Sequence, residues 1–164
     1  MNGIATVNEA IISRADIADA AAILELQKLA YESEARLYGD WRIPPLTQTL
    51  DGIRGEFDAK TFLKATVGGL LVGSVRASYK EGTCEIGRLI VHPEYQRQSI
   101  GTRLMRAIEA IFHQVKRFEL FTGDRSVGNI RLYERLGYRV VRSERLSATV
   151  TLVFMEKPRD FSDG

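Results

Sequence analysis

Residues 90–106 read IVHPEYQRQSIGTRLMR, and the change of character along this stretch sets the architecture around it. Ile90 and Val91 close an apolar run. His92-Pro93-Glu94 breaks it, because proline offers no backbone donor and disfavours helix in the residue before it. From Gly101 onward, Leu104, Met105, Ile108, Ile111, Phe112 and Val115 recur at helical spacing, with Arg103, Arg106 and Glu109 off the stripe. The stretch is a strand, a tight polar turn and an amphipathic helix. Gln96, Arg97, Gln98 and Ser99 fill the turn with hydrogen-bonding side chains. The first N–H groups of a helix have no intrahelical acceptor and carry partial positive charge, so such a turn suits a phosphate. Taken alone, it reads equally as an ordinary strand–helix connection. With one glycine it is no dinucleotide fingerprint, and the GK[ST] ending of a P-loop is missing.

The elements on either side extend this reading. Ala10 to Ile12 reads as a short strand. Asp16, with Asp19 at capping-box spacing, begins a helix expected to run to about Ala35. Pro44 and Pro45 are expected to hold the following loop extended. Thr47 is expected to cap a second helix through Phe57, with Leu46 and Leu50 as a hydrophobic staple across it. Thr61–Val67, Leu70–Tyr79 and Thr83–Val91, joined by Gly68-Gly69 and Glu81-Gly82, read as an antiparallel meander. Phe118–Thr122 is a strand after a helix, as in a crossover. Ser126 is placed to cap a helix through Leu136, stopped by Gly137. Tyr138–Val141 and Ala148–Met155 are the last strands. The fold class is α/β: a mixed, mostly antiparallel sheet of about six to seven strands flanked by about four helices.

The chain has 164 residues, 45% hydrophobic and 27% charged, which suits a single domain. Residues 1–8 are expected to be a flexible leader and 159–164 a flexible tail. The 23 basic and 21 acidic residues nearly cancel and form no like-charged run, so no nucleic-acid partner is expected. The single cysteine, Cys84, excludes an intrachain disulfide. The start lacks a signal-peptide pattern, and the most apolar stretch, 65–75, is about half the length a bilayer requires. A cytoplasmic protein without membrane association is expected. Nothing in the pattern points to a metal.

Strand, V-H-P-E-Y-Q-R-Q-S-I-G-T, amphipathic helix, strand and then L-Y-E-R-L-G-Y together resemble the GNAT family, the acyl-CoA-dependent N-acyltransferases. Gln96 and Gly101 match the family's Q/R-x-x-G-x-G/A turn. Leu132, Tyr133, Gly137 and Tyr138 match its L-Y-x-K-x-G-F, with Arg135 where lysine is common. Ser99 departs from the pattern, standing where the first glycine is usual. The resemblance implies that acetyl-CoA is the co-substrate. It places the coenzyme A pyrophosphate on the turn's amides, at Gln96, Arg97, Gln98, Ser99, Ile100, Gly101 and Thr102. It places the pantetheine and acetyl group along Leu89, Ile90 and Val91. The family's usual asparagine in the later helix falls at Ser126 here, and Asn129 stands where alanine is common; from the helix's first turn both residues are within reach of the cofactor, and Asn129 is the expected contact. Arg97 by itself reads as a solvated side chain, and Ser126 as a cap.

The resemblance also assigns chemistry. Tyr133 occupies the position of the family's general acid. A phenol can protonate a departing thiolate or stabilise it by hydrogen bonding. Its spacing with Ile130 and Leu136, by itself, reads as core. Glu85 is the expected base for the acceptor ammonium, directly or through a water. Alternation places Glu85, Gly87, Leu89 and Val91 on one face, with Cys84 on the other, which gives a covalent cysteine intermediate little support. His92, at a strand exit before proline, and His113, on a helix flank, read as surface or capping residues.

The acceptor is expected among Tyr31, Glu34, Tyr38 and Trp41, with Glu32 and Asp40 nearby, where carboxylates and ring faces suit a cationic amine. The same charges read equally as a solvated helix end. The sequence thus points to an N-acetyltransferase that moves an acetyl group to a primary amine, small or on a peptide, by direct attack. The alternative is a non-catalytic acyl-CoA-binding module. A homodimer is expected through the late strands.

Overall fold

The computed structural model describes residues 9–159, so the expected leader and all but the first residue of the expected tail lie outside the described residues. One seven-stranded sheet has the order β1-β2-β3-β4-β5-β7-β6. β1 (Ile11–Arg14), β2 (Thr61–Val67), β3 (Leu70–Lys80) and β4 (Thr83–Val91) form an antiparallel run. Its two tight turns, Gly68-Gly69 and Glu81-Gly82, have positive φ at both residues, the backbone that matches the twist of a hairpin. β5 (Arg117–Gly123) lies parallel to β4. β7 (Thr151–Pro158) returns antiparallel to β5, and β6 (Arg139–Arg145) pairs with β7 at the edge. The sheet is the mixed, mostly antiparallel one expected.

The helical segments are α1 (Ala20–Ala30), α2 (Glu32–Tyr38), α3 (Pro44–Thr47), α4 (Leu50–Glu56), α5 (Ile100–Ile111) and α6 (Val127–Arg135). Asp16 and Asp19 form the expected capping box, over a short 3-10 turn that runs into α1. Three local expectations are corrected. The first helix is interrupted at Tyr31, and α2 then runs to Tyr38, where Gly39 at φ 61° stops it. Pro44 and Pro45 do not hold the loop extended: they open the single turn α3, where a missing N–H costs nothing. Thr49 rather than Thr47 caps α4, its hydroxyl accepting from Gly52 N–H at 3.0 Å, so Leu46 and Leu50 do not bracket the cap as a staple would.

Each face of the sheet has its own core. α5 lays Leu104, Met105 and Ile108 against Val72, Val75, Ala77 and Ile86. α1 and α4 place Ile23, Leu24 and Ile53 against Phe62 on the other face. Each such side chain contributes roughly 1.5–3 kcal/mol by leaving water. The second face also holds Arg76, which is 1% exposed. Its guanidinium donates to Glu56 Oε2 at 2.8 Å and to Gln27 Oε1, and lies 4.7 Å over the Phe62 ring. Burial lowers its pKa to about 10, with Glu56 opposing, so it is charged at neutral pH. This network ties α1 and α4 to β3.

Candidate active site

β4 and β5 part company after a short contact. They pair only at Thr83–Arg117, Cys84–Phe118 and Glu85–Glu119. Beyond Glu85 the β5-facing edge of β4 meets no strand, and its backbone donors and acceptors open into a cleft. A bulge drives the separation: between Gly87 and Ile90, β4 carries one more residue than β3 opposite, and Arg88 takes φ 51°. The bulge also reverses the side-chain alternation. Cys84 and Ile86 pack in the α5 core, and beyond the bulge Leu89 and Val91 join that core. Glu85 therefore does not share a face with Leu89 and Val91 as expected; it faces the α1–α4 side and is exposed. The Glu85 and Cys84 side chains do lie on opposite faces. Cys84 is fully buried, and burial, with Glu109 and Glu85 nearby, pushes its thiol up to about 12.

The cleft has a volume of about 840 Å³, of the size that holds a cofactor or small ligand. One end is the turn 96–101. Arg97 and Ser99 both sit in the left-handed region, at φ 64° and 63°. Alternating left- and right-handed residues point successive N–H groups into one concavity, a backbone cradle for an anion. Ser99 occupies the conformation that glycine adopts most easily, which is the physical sense of the glycine usual there. Its side chain does not cap α5, so the first N–H groups of that helix stay available. Gly101 lies at the start of α5 facing Leu132, Leu89 and Val91, where a Cβ would make ordinary contacts at 3.6–3.8 Å.

Opposite β4 stands α6. Its C-terminus is a Schellman cap: Tyr138 N–H bonds Tyr133 C=O at 3.0 Å, and Gly137 N–H, at φ 101°, bonds Glu134 C=O at 3.0 Å. The Tyr133 and Tyr138 rings meet edge-on at 6.1 Å across this cap. Tyr133 is thereby held rigid, 6% exposed, lining the cleft. Burial raises its pKa well above the usual phenol value, with Tyr31 and Glu34 adding to it. The group therefore stays protonated and is a hydrogen-bond donor at every working pH.

The far side is roofed by α2, strapped to the start of α6. Tyr38 Oη donates to Asp124 at 3.0 Å and accepts from Arg125 N–H at 2.7 Å. Ser126 Oγ donates to Glu34 Oε2 at 2.5 Å, and Arg125 Nη1 reaches Leu37 C=O at 3.1 Å. Ser126 thus spends its hydroxyl on Glu34 rather than on capping α6. Gly123 has to be glycine because a Cβ would collide with the Tyr38 hydroxyl.

The cleft gathers most of the residues singled out in the sequence. Glu85, Leu89, Ile90, Val91, Gln96, Arg97, Ser99, Ile100, Gly101, Thr102, Asn129, Tyr133, Tyr31, Glu34 and Tyr38 all line it. Gln98 and Trp41 are not part of the lining. Gln98 points to solvent from the turn, and Trp41 is 54% exposed beneath the Arg36 guanidinium. Tyr38 lines the cleft, but its hydroxyl is committed to Asp124 and Arg125. His92 Nδ1 accepts from Glu94 N–H at 3.1 Å, a local cap, and His113 is exposed past the end of α5. Arg76 and Arg88 also line the cleft, and no sequence motif marks either: the bulge that sets Arg88 is visible only in the strand register.

A mixed sheet parted between two parallel strands, with an amide cradle at one end and a buried phenol facing the gap, defines a class of coenzyme-cleft α/β proteins. The chain belongs to the acetyltransferase (GNAT) family, whose model matches residues 21–138. The UPF0157 protein YqkA of Bacillus subtilis (strain 168) is 26% identical over 120 residues, which are 73% of this chain and 34% of that protein. The chain thus spans about a third of the length of this curated relative. Among solved structures, the ribosomal-protein-S18-alanine N-acetyltransferase of Escherichia coli superposes with TM-score 0.77 at 17% identity, over 93% of this chain and 96% of that one. The PaiA N-acetyltransferase of Thermoplasma acidophilum, in complex with coenzyme A, gives 0.73 at 20% identity over 91% and 98%. YncA of Salmonella typhimurium, a putative acetyltransferase with its cofactor acetyl-CoA, gives 0.72 at 20% identity over 92% and 94%. At these identities the likeness is one of fold. Among the described residues, no helix is long and apolar enough to cross a membrane.

Proposed function

We propose that the protein transfers the acetyl group of acetyl-CoA to a primary amine by direct attack. The observation that carries this reading is the parting of β4 from β5, with the amide cradle at one end and Tyr133 on the wall. A ligand carrying a pyrophosphate and a long amide-bearing arm matches that sequence of groups. The bound coenzyme of the Thermoplasma and Salmonella proteins supports the choice of ligand.

In the proposed step, Glu85 or a water it holds takes the proton of the acceptor ammonium. The amine lone pair attacks the thioester carbonyl carbon, and those backbone N–H groups of Leu89–Val91 that face the gap stabilise the oxyanion. The C–S bond breaks as the oxyanion collapses, the excess proton on the attacking nitrogen passes to the departing sulfur directly or through water, and Tyr133 hydrogen-bonds that sulfur as it leaves. Because burial raises the Tyr133 pKa, full proton transfer requires that the cleft raise the thiol's pKa as well. The Cys84 thiol, buried and protonated, takes no part. Homodimerisation through β6 is proposed from the same geometry: it is an edge strand exposed along its whole length, with Val140 and Val141 uncovered. Light scattering on the purified protein tests it.

The experiment for the transfer itself is a panel of primary amines with acetyl-CoA, following free thiol and the mass of the amine product together. Thiol release matched by acetylated amine supports the reading. Coenzyme binding without turnover of any amine returns the protein to the class of binding modules.

A further inference from the structure

Arg88 is the feature of the cleft that the transfer chemistry leaves unused. It sits at the bulge of β4, with φ 51°, a backbone that costs a non-glycine residue on the order of 1 kcal/mol. Its guanidinium lines the cleft, and its Nη1 is enclosed with no hydrogen-bond partner. An enclosed, unpaired guanidinium nitrogen is costly unless something arrives to accept from it. No ion pair among the described residues involves Arg88. Glu56, the carboxylate that holds Arg76 at 2.8 Å and Lys60 at 2.9 Å, makes no ion pair with Arg88. The Arg88 guanidinium therefore keeps a donor open in the cleft wall.

That open donor is not placed for the coenzyme. The phosphate cradle is the turn before α5, which packs on one face of the sheet. Arg88 acts electrostatically on Arg76 and on the Tyr31 phenol, whose elements pack on the other face. Tyr31 also feels Glu34, and Glu34 acts in turn on Tyr133. One tyrosine thus lies within reach of a free cation and of a carboxylate oriented by Ser126, and that carboxylate neighbours the phenol assigned to the leaving sulfur. A molecule small enough to lie beside Tyr31 meets a negative group on its amine side and a positive group a short way off.

Resting on the acetyltransferase reading, we propose that Arg88 binds a carboxylate of the acceptor, and that the acceptor is a small amino acid-like molecule with a carboxylate close to its amine. Glu34 attracts the ammonium and Arg88 the carboxylate. The fork of Arg88 suits a carboxylate in a way that a point charge does not. A peptide N-terminus or a protein lysine has no carboxylate at that distance and leaves Arg88 unpaired.

The test compares matched acceptors: free amino acids of several side-chain classes, the carboxamide of each, and the decarboxylated amine of each, with acetyl-CoA saturating. The wild-type protein is expected to favour at least one free acid over its own amide by about 100-fold in kcat/KM, the scale of a buried charged group left without its partner. In Arg88→Gln that preference falls below about 5-fold, and Arg88→Lys restores part of it. The ratio is taken within one preparation, so partial unfolding of a variant cancels. Amides and decarboxylated amines accepted as well as the acids overturn the carboxylate assignment and leave the acetyltransferase reading intact. If no amine turns over, the transfer reading fails. The carboxylate site is then decided by heat-unfolding midpoints of the coenzyme A-saturated protein with N-acetyl amino acids or their amides. Protection by the acids alone, lost in Arg88→Gln, supports the site, and equal or absent protection overturns it.

Discussion

The two walls of the cleft are built on different principles. The wall proposed for the coenzyme, β4 with the turn into α5, works through backbone: an unpaired strand edge, two left-handed residues and the start of a helix. The wall proposed for the acceptor, α2 with the loop before α6, works through side chains, Tyr38 on Asp124 and Ser126 on Glu34, above a network of Arg76 with Glu56 and Gln27 that ties α1 and α4 to β3. A backbone device depends on short local patterns and survives change at most side chains. A side-chain device depends on pairs such as Glu34 and Ser126, 92 residues apart. On the proposed reading, the backbone wall takes the coenzyme and the side-chain wall takes the acceptor.

The largest expected effect lies where the walls meet. Tyr133→Phe removes the hydroxyl but keeps the ring in the Schellman cap. It is expected to lower kcat about 100-fold or more, with the KM for acetyl-CoA nearly unchanged, in a thiol-release assay. Equal rates in both proteins would remove Tyr133 from the chemistry. Because burial raises the phenol's pKa, the phenol keeps its proton as pH rises, so the wild-type rate is expected to climb to about pH 9 as the amine deprotonates, without a falling limb from Tyr133.

Next in size is the support under the acceptor wall. Glu56→Ala strips the charge partner from Arg76, which is 1% exposed, and is expected to cost about 2–3 kcal/mol, since Glu56 itself is partly hydrated. For a domain of this size that lowers Tm by about 4–12 °C in a heat scan. An unchanged Tm would mean that the network contributes packing rather than charge. Tyr38→Phe breaks the bonds to Asp124 and Arg125 N–H and is expected to cost about 1–2 kcal/mol. It should raise the KM for the acceptor and leave that for acetyl-CoA alone. An equal rise in both would erase the separation between the walls.

The same contrast decides what was legible in the sequence. The strand–turn–helix of 90–106, the glycine hairpins and the Leu132–Tyr138 motif are local patterns, so the sheet, its crossover and the grouping of most of the singled-out residues along one cleft could be read directly. Glu85 and Leu89 were placed on one face because alternation assumes an unbroken strand, and no residue type announces the bulge at Arg88. Thr47 and Thr49 are equivalent as caps until Pro44 and Pro45 take up a helical turn of their own. The roles of Tyr38, Ser126 and Arg76 were hidden because each depends on a partner far along the chain. The Trp41 ring suits a cation by its chemistry, and only the path of the loop shows that it faces solvent.

The smallest effect tests the departure in the turn. Ser99→Gly relieves a left-handed serine but loosens the unfolded chain, so stability should change by less than about 1 kcal/mol. If the N–H groups carry the phosphate, the affinity for coenzyme A should hold or improve. A marked loss would show that the serine hydroxyl is itself the ligand.

The most direct test of the whole account is a crystal structure with acetyl-CoA bound. The account predicts the pyrophosphate on the amides of the turn 96–101, the thioester carbonyl beside Leu89–Val91 between the parted strands, and the sulfur facing the Tyr133 hydroxyl. A coenzyme whose phosphates lie away from that turn, or whose thioester lies outside the gap between β4 and β5, would contradict it.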